Sequence, residues 1–283
     1  MIQRVLIGVD GSDCARRAAK YGFEIARNYD AVAEVVHVHS SGHEEEGRQI
    51  LKDATQIVSE FGMEDDVEIQ AYLLEGSPAK TVLRQTKKNG IDLIVMGRQG
   101  RTGLEERLLG SITERVLRRT SLPVLTVPEG ELTETTGANY DNLLLPVDPG
   151  RSEGVGKASS YAADIAESYR ATLHLLSVVD VESEAGVFDA GGVSSEYIER
   201  IEKRGHDAVD SIEEDIRDYN SLSIIKNVVR GDSHSAISDY AEDRRVDLIV
   251  MPSKYESSYI GQRIGSITGR VLRISGVPVL VIR

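Results

Sequence analysis

A block of 36 residues occurs twice in this chain. "DLIVMGRQGRTGLEERLLGSITERVLRRTSLPVLTV" (92–127) lies on "DLIVMPSKYESSYIGQRIGSITGRVLRISGVPVLVI" (247–282) without a gap, at an offset of 155, with 16 identities. Upstream, "RVLIGVDGS" matches "NLLLPVDPG" at an offset of 138, so the second copy has gained residues in between, at "VESEAGVFDAGGVSSEY" (181–197). Whatever one copy folds into, the chain has to contain it twice. A length of 283 residues suits two domains, each large enough to bury its own core. "PEGELTETTGANYDN" is polar, carries glycine and lacks periodicity, which marks a linker. The boundaries expected are a first domain over 1–128, a linker over 129–140 and a second domain over 141–283.

Within each copy, short β-branched runs ("RVLIGV", "EVVHVH", "VEIQAYLL", "DLIVM", "PVLTV") alternate with segments of helical spacing. Strands that alternate with helices require crossover connections, hence an α/β fold whose parallel sheet is covered on both faces. In "GSDCARRAAKYGFEIARNY", Ser12 or Asp13 can accept the first helical amide hydrogens, and Ala15, Ala18, Ala19, Gly22, Phe23 and Ala26 form one apolar stripe. "HEEEGRQILKDATQIVSEF" reads as an amphipathic helix with a solvated charged face.

Charge narrows the partners. With 33 basic against 46 acidic residues the net charge is −13, a balance that repels nucleic acid and anionic membranes. Aromatics at 5% with no Trp leave little for base-stacking platforms. The excess of acid and the shortage of lysine also fit a salt-rich host, where counterions screen self-repulsion. No stretch approaches the length of apolar sequence that a membrane helix needs, so a cytoplasmic protein is expected. The single cysteine, Cys14, offers no intramolecular disulfide and reads as a small buried hydrophobe in a reducing compartment.

After "DLIVM" comes "GRQGRTGLEERLLGS", with glycines at 97, 100 and 110 followed by Ser111. In a doubly wound sheet, ligands lie beyond the carboxyl ends of the strands. Gly97 and Gly100 would let the backbone take positive φ and approach an anion, while Gly110 and Ser111 would open a helix whose first amides lack partners. Arg98, Arg101 and Arg107 would supply positive charge there. The same spacing also fits a plain surface loop with solvating arginines, and no Gly-Lys-Ser/Thr follows, so this is not a Walker motif.

The spacing G-x2-G-x9-G-S after the fourth strand, together with "VLIGVDGS" and "PVLTV", resembles the ATP-binding pattern of the universal stress protein family, and does so over nearly the whole chain, twice. The resemblance implies two Rossmann-like, adenine nucleotide alpha hydrolase-like domains, each a five-stranded parallel sheet in strand order 3-2-1-4-5. It implies ATP, with Mg²⁺ as a candidate companion, in the first domain. Carried over by position, Gly8, Val9, Asp10 and Val38 would meet adenine, and Met96 and Gly97 the ribose. Gly100, Gly110, Ser111, Ile112 and Thr113 would hold phosphates, with Arg98 counted in the site for its positive charge. It also implies that the two last strands pair antiparallel, making the chain an intramolecular counterpart of a dimer; a homodimer of the tandem chain is expected in addition.

The second copy departs at the loop. Pro252 replaces Gly97, Tyr255 replaces Gly100, and Glu256 adds negative charge, although Gly265, Ser266 and Thr268 remain. Proline lacks an amide hydrogen, and tyrosine disfavours a left-handed backbone. Nucleotide is therefore expected in the first copy, while Asp148 and Val178 leave the second open to a different ligand. The insertion at 181–197 reads as a loop that could reach over that pocket. His37, His39 and His43 have a spacing that could suit a metal, but no Cys or close acidic partner completes a set. No nucleophile elbow follows a strand. A regulatory, stress-response role for bound nucleotide thus ranks above slow Mg²⁺-dependent ATP hydrolysis, for which only Asp10 could position water, and above a chaperone-like role independent of nucleotide.

Overall fold

The computed structural model describes residues 2–100, 109–149, 155–180, 195–219, 221–253 and 264–283. They gather into two compact units, one reaching Asn139 and including Pro278–Val281, the other starting at Tyr140. The first unit runs β1 (Arg4–Gly8), α1 (Asp13–Tyr29), β2 (Val32–His39), α2 (Glu44–Glu60), β3 (Ile69–Glu75), α3 (Pro78–Asn89), β4 (Leu93–Gly97), α4 (Ser111–Arg119) and β5 (Val124–Val127). The second runs β6 (Asn142–Val147), α5 (Val155–Tyr169), β7 (Thr172–Val179), α6 (Ser195–Asp215), β8 (Ser223–Arg230), α7 (Ser233–Asp243), β9 (Leu248–Pro252) and α8 (Ser266–Ile274), and is followed by β10 (Val279–Ile282). Of the insertion at 181–197, residues 195–197 begin α6 and the remainder lies outside the described residues.

In the first unit the strands stand in the order β3-β2-β1-β4-β5, all parallel. β10, whose residues 279–281 count with this unit, pairs antiparallel with β5, Leu280 opposite Leu125. The second unit has the order β9-β6-β7-β8, again parallel. Central strands are apolar on both faces because helices cover both: Val5, Leu6 and Ile7 of β1 and Leu143, Leu144 and Leu145 of β6 are fully buried. The apolar stripe of α1 is buried as its spacing requires. Ser12 caps that helix, its Oγ accepting from the Ala15 amide at 3.1 Å. Ser12→Ala is expected to lower the stability of the first unit by about 1 kcal/mol. A thermal midpoint equal to that of the unmodified chain would contradict this.

Each unit buries a polar cluster near the amino end of its sheet, and the two clusters differ at every position. Glu34, opposite Leu6 in the register and fully buried, pairs with Arg4 and accepts from Asn89 Nδ2 at 2.8 Å and Gln85 Nε2 at 3.4 Å. His174 takes the corresponding place opposite Leu144. Its Nδ1 lies 2.9 Å from the Tyr240 hydroxyl, which accepts from Asn227 at 2.9 Å, and its Nε2 lies 3.3 Å from Asn142 Oδ1. A neutral ring with its hydrogen on Nε2 satisfies all three contacts.

Candidate functional site

The site is built where strand order reverses, between the carboxyl ends of β1 and β4. Past Gly8 the chain is fastened to β2: the Val9 amide donates to the Val36 carbonyl at 3.0 Å, and His37 Nδ1 lies 2.8 Å from the Val9 carbonyl, an acceptor, so that nitrogen carries the hydrogen. Asp10 follows. Its Oδ1 accepts from the Ser12 amide at 3.0 Å and the Ser12 hydroxyl at 2.6 Å. Oδ2 faces Gly100, where a Cβ atom would stand only 2.7 Å away. Gly97 ends β4 against α1, with room for no side chain: a Cβ there would come within 3.0 Å of the Cys14 carbonyl carbon and Sγ.

Beyond β4 the two ends of the glycine loop meet, the Gly110 amide donating to the Arg98 carbonyl at 2.8 Å. A Cβ at Gly110 would lie 3.1 Å from that same oxygen. Gly110 is the N-cap of α4 and supplies no side chain to cap it, so the first turn offers main-chain amides toward whatever lies in front. Residues 101–108, including Arg101 and Arg107, are outside the described residues.

These elements enclose a cavity of 400 Å³. Gly8, Val9, Asp10, Val38, Met96, Gly97, Gly100, Gly110, Ser111, Ile112 and Thr113 all line it, brought together from β1, β2, β4 and α4. Arg98, of the residues singled out by sequence, does not: its guanidinium is buried behind the loop. Burial holds it below the usual arginine range, with Arg17 adding repulsion while Cys14 and Glu129 oppose. It is thus not the phosphate-facing charge that its place in the motif implied.

Two further expectations change. Gly97 and Gly100 do not use positive φ; glycine is needed there for close approach, to α1 and to Asp10. The Thr113 hydroxyl is engaged in the protein, donating to the Gly97 carbonyl at 2.9 Å and tying α4 to β4.

Sequence reasoning left out one wall. His37, His39, Ser40, His43 and Glu46 line the cavity from the end of β2 and the start of α2. The paired histidines had drawn notice only as metal candidates. In the structure His39 Nδ1 donates to the Ser40 carbonyl at 2.9 Å, and His43 Nδ1 stands 3.2 Å from the Ser40 hydroxyl. Among the described residues no group of three His, Cys, Asp or Glu side chains is placed to hold a metal. Cys14 donates to the Val127 carbonyl at 3.2 Å, and burial pushes its thiol pKa up, which disfavours a nucleophilic role.

In the second unit, α8 repeats part of this plan. Its N-cap Gly265 gives no side-chain cap, and the Thr268 hydroxyl donates to the Pro252 carbonyl at 3.0 Å. The floor differs more than the loop comparison indicated, because Pro146 stands where the first copy has Gly8 and Pro252 where it has Gly97. Consistent with proline's missing amide hydrogen, pairing of β6 with β9 covers two positions, Leu143 and Leu144, whereas β1 pairs with β4 from Val5 to Gly8. Tyr255 and Glu256 lie outside the described residues.

A parallel sheet wound in both directions, with a cavity at its switch point closed by a glycine loop and a helix start, defines a Rossmann-like α/β protein. Comparison with known proteins agrees with both the repeat and the fold. The model of the universal stress protein family matches residues 1–128 and again 139–283. Universal stress protein MJ0531 of Methanocaldococcus jannaschii is 36% identical over 144 residues, covering 45% of this chain and 82% of that protein. Universal stress protein Rv2005c of Mycobacterium tuberculosis is 24% identical along 306 aligned positions, covering 99% of this chain and 96% of its own. The crystal structure of a universal stress protein from Archaeoglobus fulgidus superposes with a TM-score of 0.66 at 18% identity, covering 99% of this chain and 98% of that one. The chain belongs to the universal stress protein family, as a tandem of two copies. No described helix is long and apolar enough to cross a membrane.

Proposed function

We propose that the first unit binds an adenine nucleotide, ATP, with Mg²⁺ as a candidate companion, and that occupancy serves a regulatory, stress-response role. The observation that carries this reading is the 400 Å³ cavity whose phosphate end consists of main-chain amides on an uncapped helix start. The fit rests on the cradle: a side chain at Gly97 would meet α1, one at Gly100 would meet Asp10, and one at Gly110 would meet the Arg98 carbonyl. Gly100, Ser111 and Ile112 would hold phosphate oxygens, with the α4 dipole favouring their charge, while Gly110, whose amide already serves the Arg98 carbonyl, would let the backbone approach them closely. Met96 and Gly97 would adjoin the ribose. Gly8, Val9 and Val38 would bound the base, and Asp10 would accept from its amino group or hold a metal-bound water. Binding is favoured over hydrolysis because Asp10 already spends one oxygen on Ser12.

Isothermal titration with ATP and Mg²⁺ tests the reading on the full chain and on Gly100→Tyr, which copies the second unit's residue. The variant is expected to lose affinity by about 100-fold, equivalent to roughly 2.7 kcal/mol. Equal binding in both proteins would remove the glycine loop from the site. Steady release of phosphate in the same samples would replace simple binding with Mg²⁺-dependent hydrolysis. No heat from the unmodified chain would favour a role independent of nucleotide.

A further inference from the structure

We propose that the segment from Val127 to Ala138, at the place expected of a linker, is a strap that senses the state of the cavity in the first unit. One face of α1 fastens it. Arg17 Nη1 donates to the carbonyls of Pro128 at 2.8 Å and Glu129 at 2.9 Å. Lys20, only 1% exposed, donates to the Thr136 carbonyl and, at 3.1 Å, to the Glu134 carbonyl. Glu24 pairs with Lys20 at 3.0 Å and accepts from the Ala138 amide. The Phe61 ring lies 4.4 Å from the Lys20 ammonium and completes its enclosure.

The strap is shaped for this fastening. Gly130 and Gly137 take φ of 152° and 146°, and side chains there would run into Arg17 and Glu24. Thr136 Oγ1 donates to the Glu131 carbonyl at 2.9 Å and accepts from the Thr133 amide at 3.0 Å, closing the segment on itself. A buried ammonium is costly unless its hydrogens are satisfied. Strap carbonyls supply much of that satisfaction, so lifting the strap uncovers Lys20 and releases several contacts at once. These contacts share one set of side chains on α1, so they are made or lost together.

The same segment grips the cavity's loop. The Val127 carbonyl accepts from the Arg98 amide at 2.7 Å and from Cys14 Sγ at 3.2 Å. With its amide nitrogen turned toward Glu129, Gln99 donates to that carboxylate at 3.1 Å. Gln99 also lines the cavity, and a second, open hollow of 530 Å³ runs between Gly11–Cys14 and Glu129–Gly130, sharing Gly100 with the first. A ligand that draws Gly97–Gly100 inward therefore acts on the strap through Gln99 and Arg98. By reciprocity, release of the strap weakens binding in the cavity. The part of this inference that involves nucleotide rests on the function proposed above; the link between strap and loop does not.

Amide hydrogen exchange on the full chain tests both parts. Without nucleotide, Glu129→Ala, at an exposed position, and Lys20→Met are expected to speed exchange at Gly97–Gly100 and Gly110–Thr113 by about fivefold or more. Unchanged exchange there in both variants overturns the link. With ATP and Mg²⁺ on the unmodified chain, exchange over residues 128–138 is expected to slow along with that of the loop. If the loop slows and the strap does not, nucleotide binding stands and its sensing by the strap is overturned. If neither slows, the nucleotide reading fails, and the two variants alone decide whether strap and loop are joined.

Discussion

Arg4→Met lowers the stability of the first unit by about 3 kcal/mol, because it leaves the Glu34 carboxylate buried near the amino end of the sheet without its cation. The side chain of Glu34 is fully buried, and the remaining donors are the carboxamides of Asn89 and Gln85. Methionine preserves most of the aliphatic bulk of Arg4, so the loss measures the stranded charge rather than a void. Equilibrium urea unfolding of the full chain reads it as an early transition moving to lower denaturant. Removing both partners, Arg4→Met with Glu34→Met, should recover much of the loss, since a matched apolar pair costs far less than half of an ion pair. A double variant as unstable as the single one would show that shape, not charge, decides this position.

The second unit should respond to acid instead. Burial, and secondarily the nearby Arg244, hold the His174 imidazole below its usual value. The groups facing it are the Tyr240 hydroxyl from α7, Arg244 just past the end of α7 and Asn142 from β6, with Asn227 from β8 behind Tyr240. In the unfolded chain this histidine takes up a proton as pH falls below about 6.5, whereas the folded ring stays neutral. The unfolded state then binds more protons, so stability declines with falling pH from about 6.5 down to the folded value. Above that window the group contributes no slope. Thermal scans of the full chain between about pH 7.5 and 5, which bracket the ordinary imidazole value, should show the second unit's transition descending as acid is added. In His174→Gln the part of that descent due to this ring should vanish, with a lower starting midpoint. An equally steep descent in the variant would assign the acid response elsewhere.

How much of this could be read from residues alone depends on the range of the interaction involved. Alternating strands and helices and the stripe of α1 follow from local periodicity, which the sequence carries, whereas the convergence of Asp10 with Gly97, Gly100 and Gly110 was legible only through the resemblance to a known family. The fastening of Lys20 was invisible. On a helix wheel it is an ordinary charged position beside Ala19, and its partners are carbonyls of residues 134 and 136, more than a hundred positions away. Glu34 within "AEVVHVH" likewise reads as a polar residue in an apolar strand until Arg4, Gln85 and Asn89 are seen around it. Arg98 erred in the opposite sense: a motif position suggested a role for its side chain, but its main chain does the work by joining β5 and Gly110. The wall formed by His39, Ser40, His43 and Glu46 is not legible from spacing, because only the fold brings the end of β2 and the start of α2 round the cavity.

The two buried clusters also constrain how such a gene can be remodelled. Arg4, Glu34, Gln85 and Asn89 stand at the places held in the other copy by Asn142, His174, Tyr240 and Arg244, and they come from three separate stretches of each copy. A crossover between the copies that carried over α7 but left β2 behind would set tyrosine and arginine against Glu34, with Arg4 still in place. Hybrids whose breakpoints keep each foursome intact avoid that mismatch. Exchange of single segments between the halves therefore carries a cost at these buried places that exchange at the surface does not.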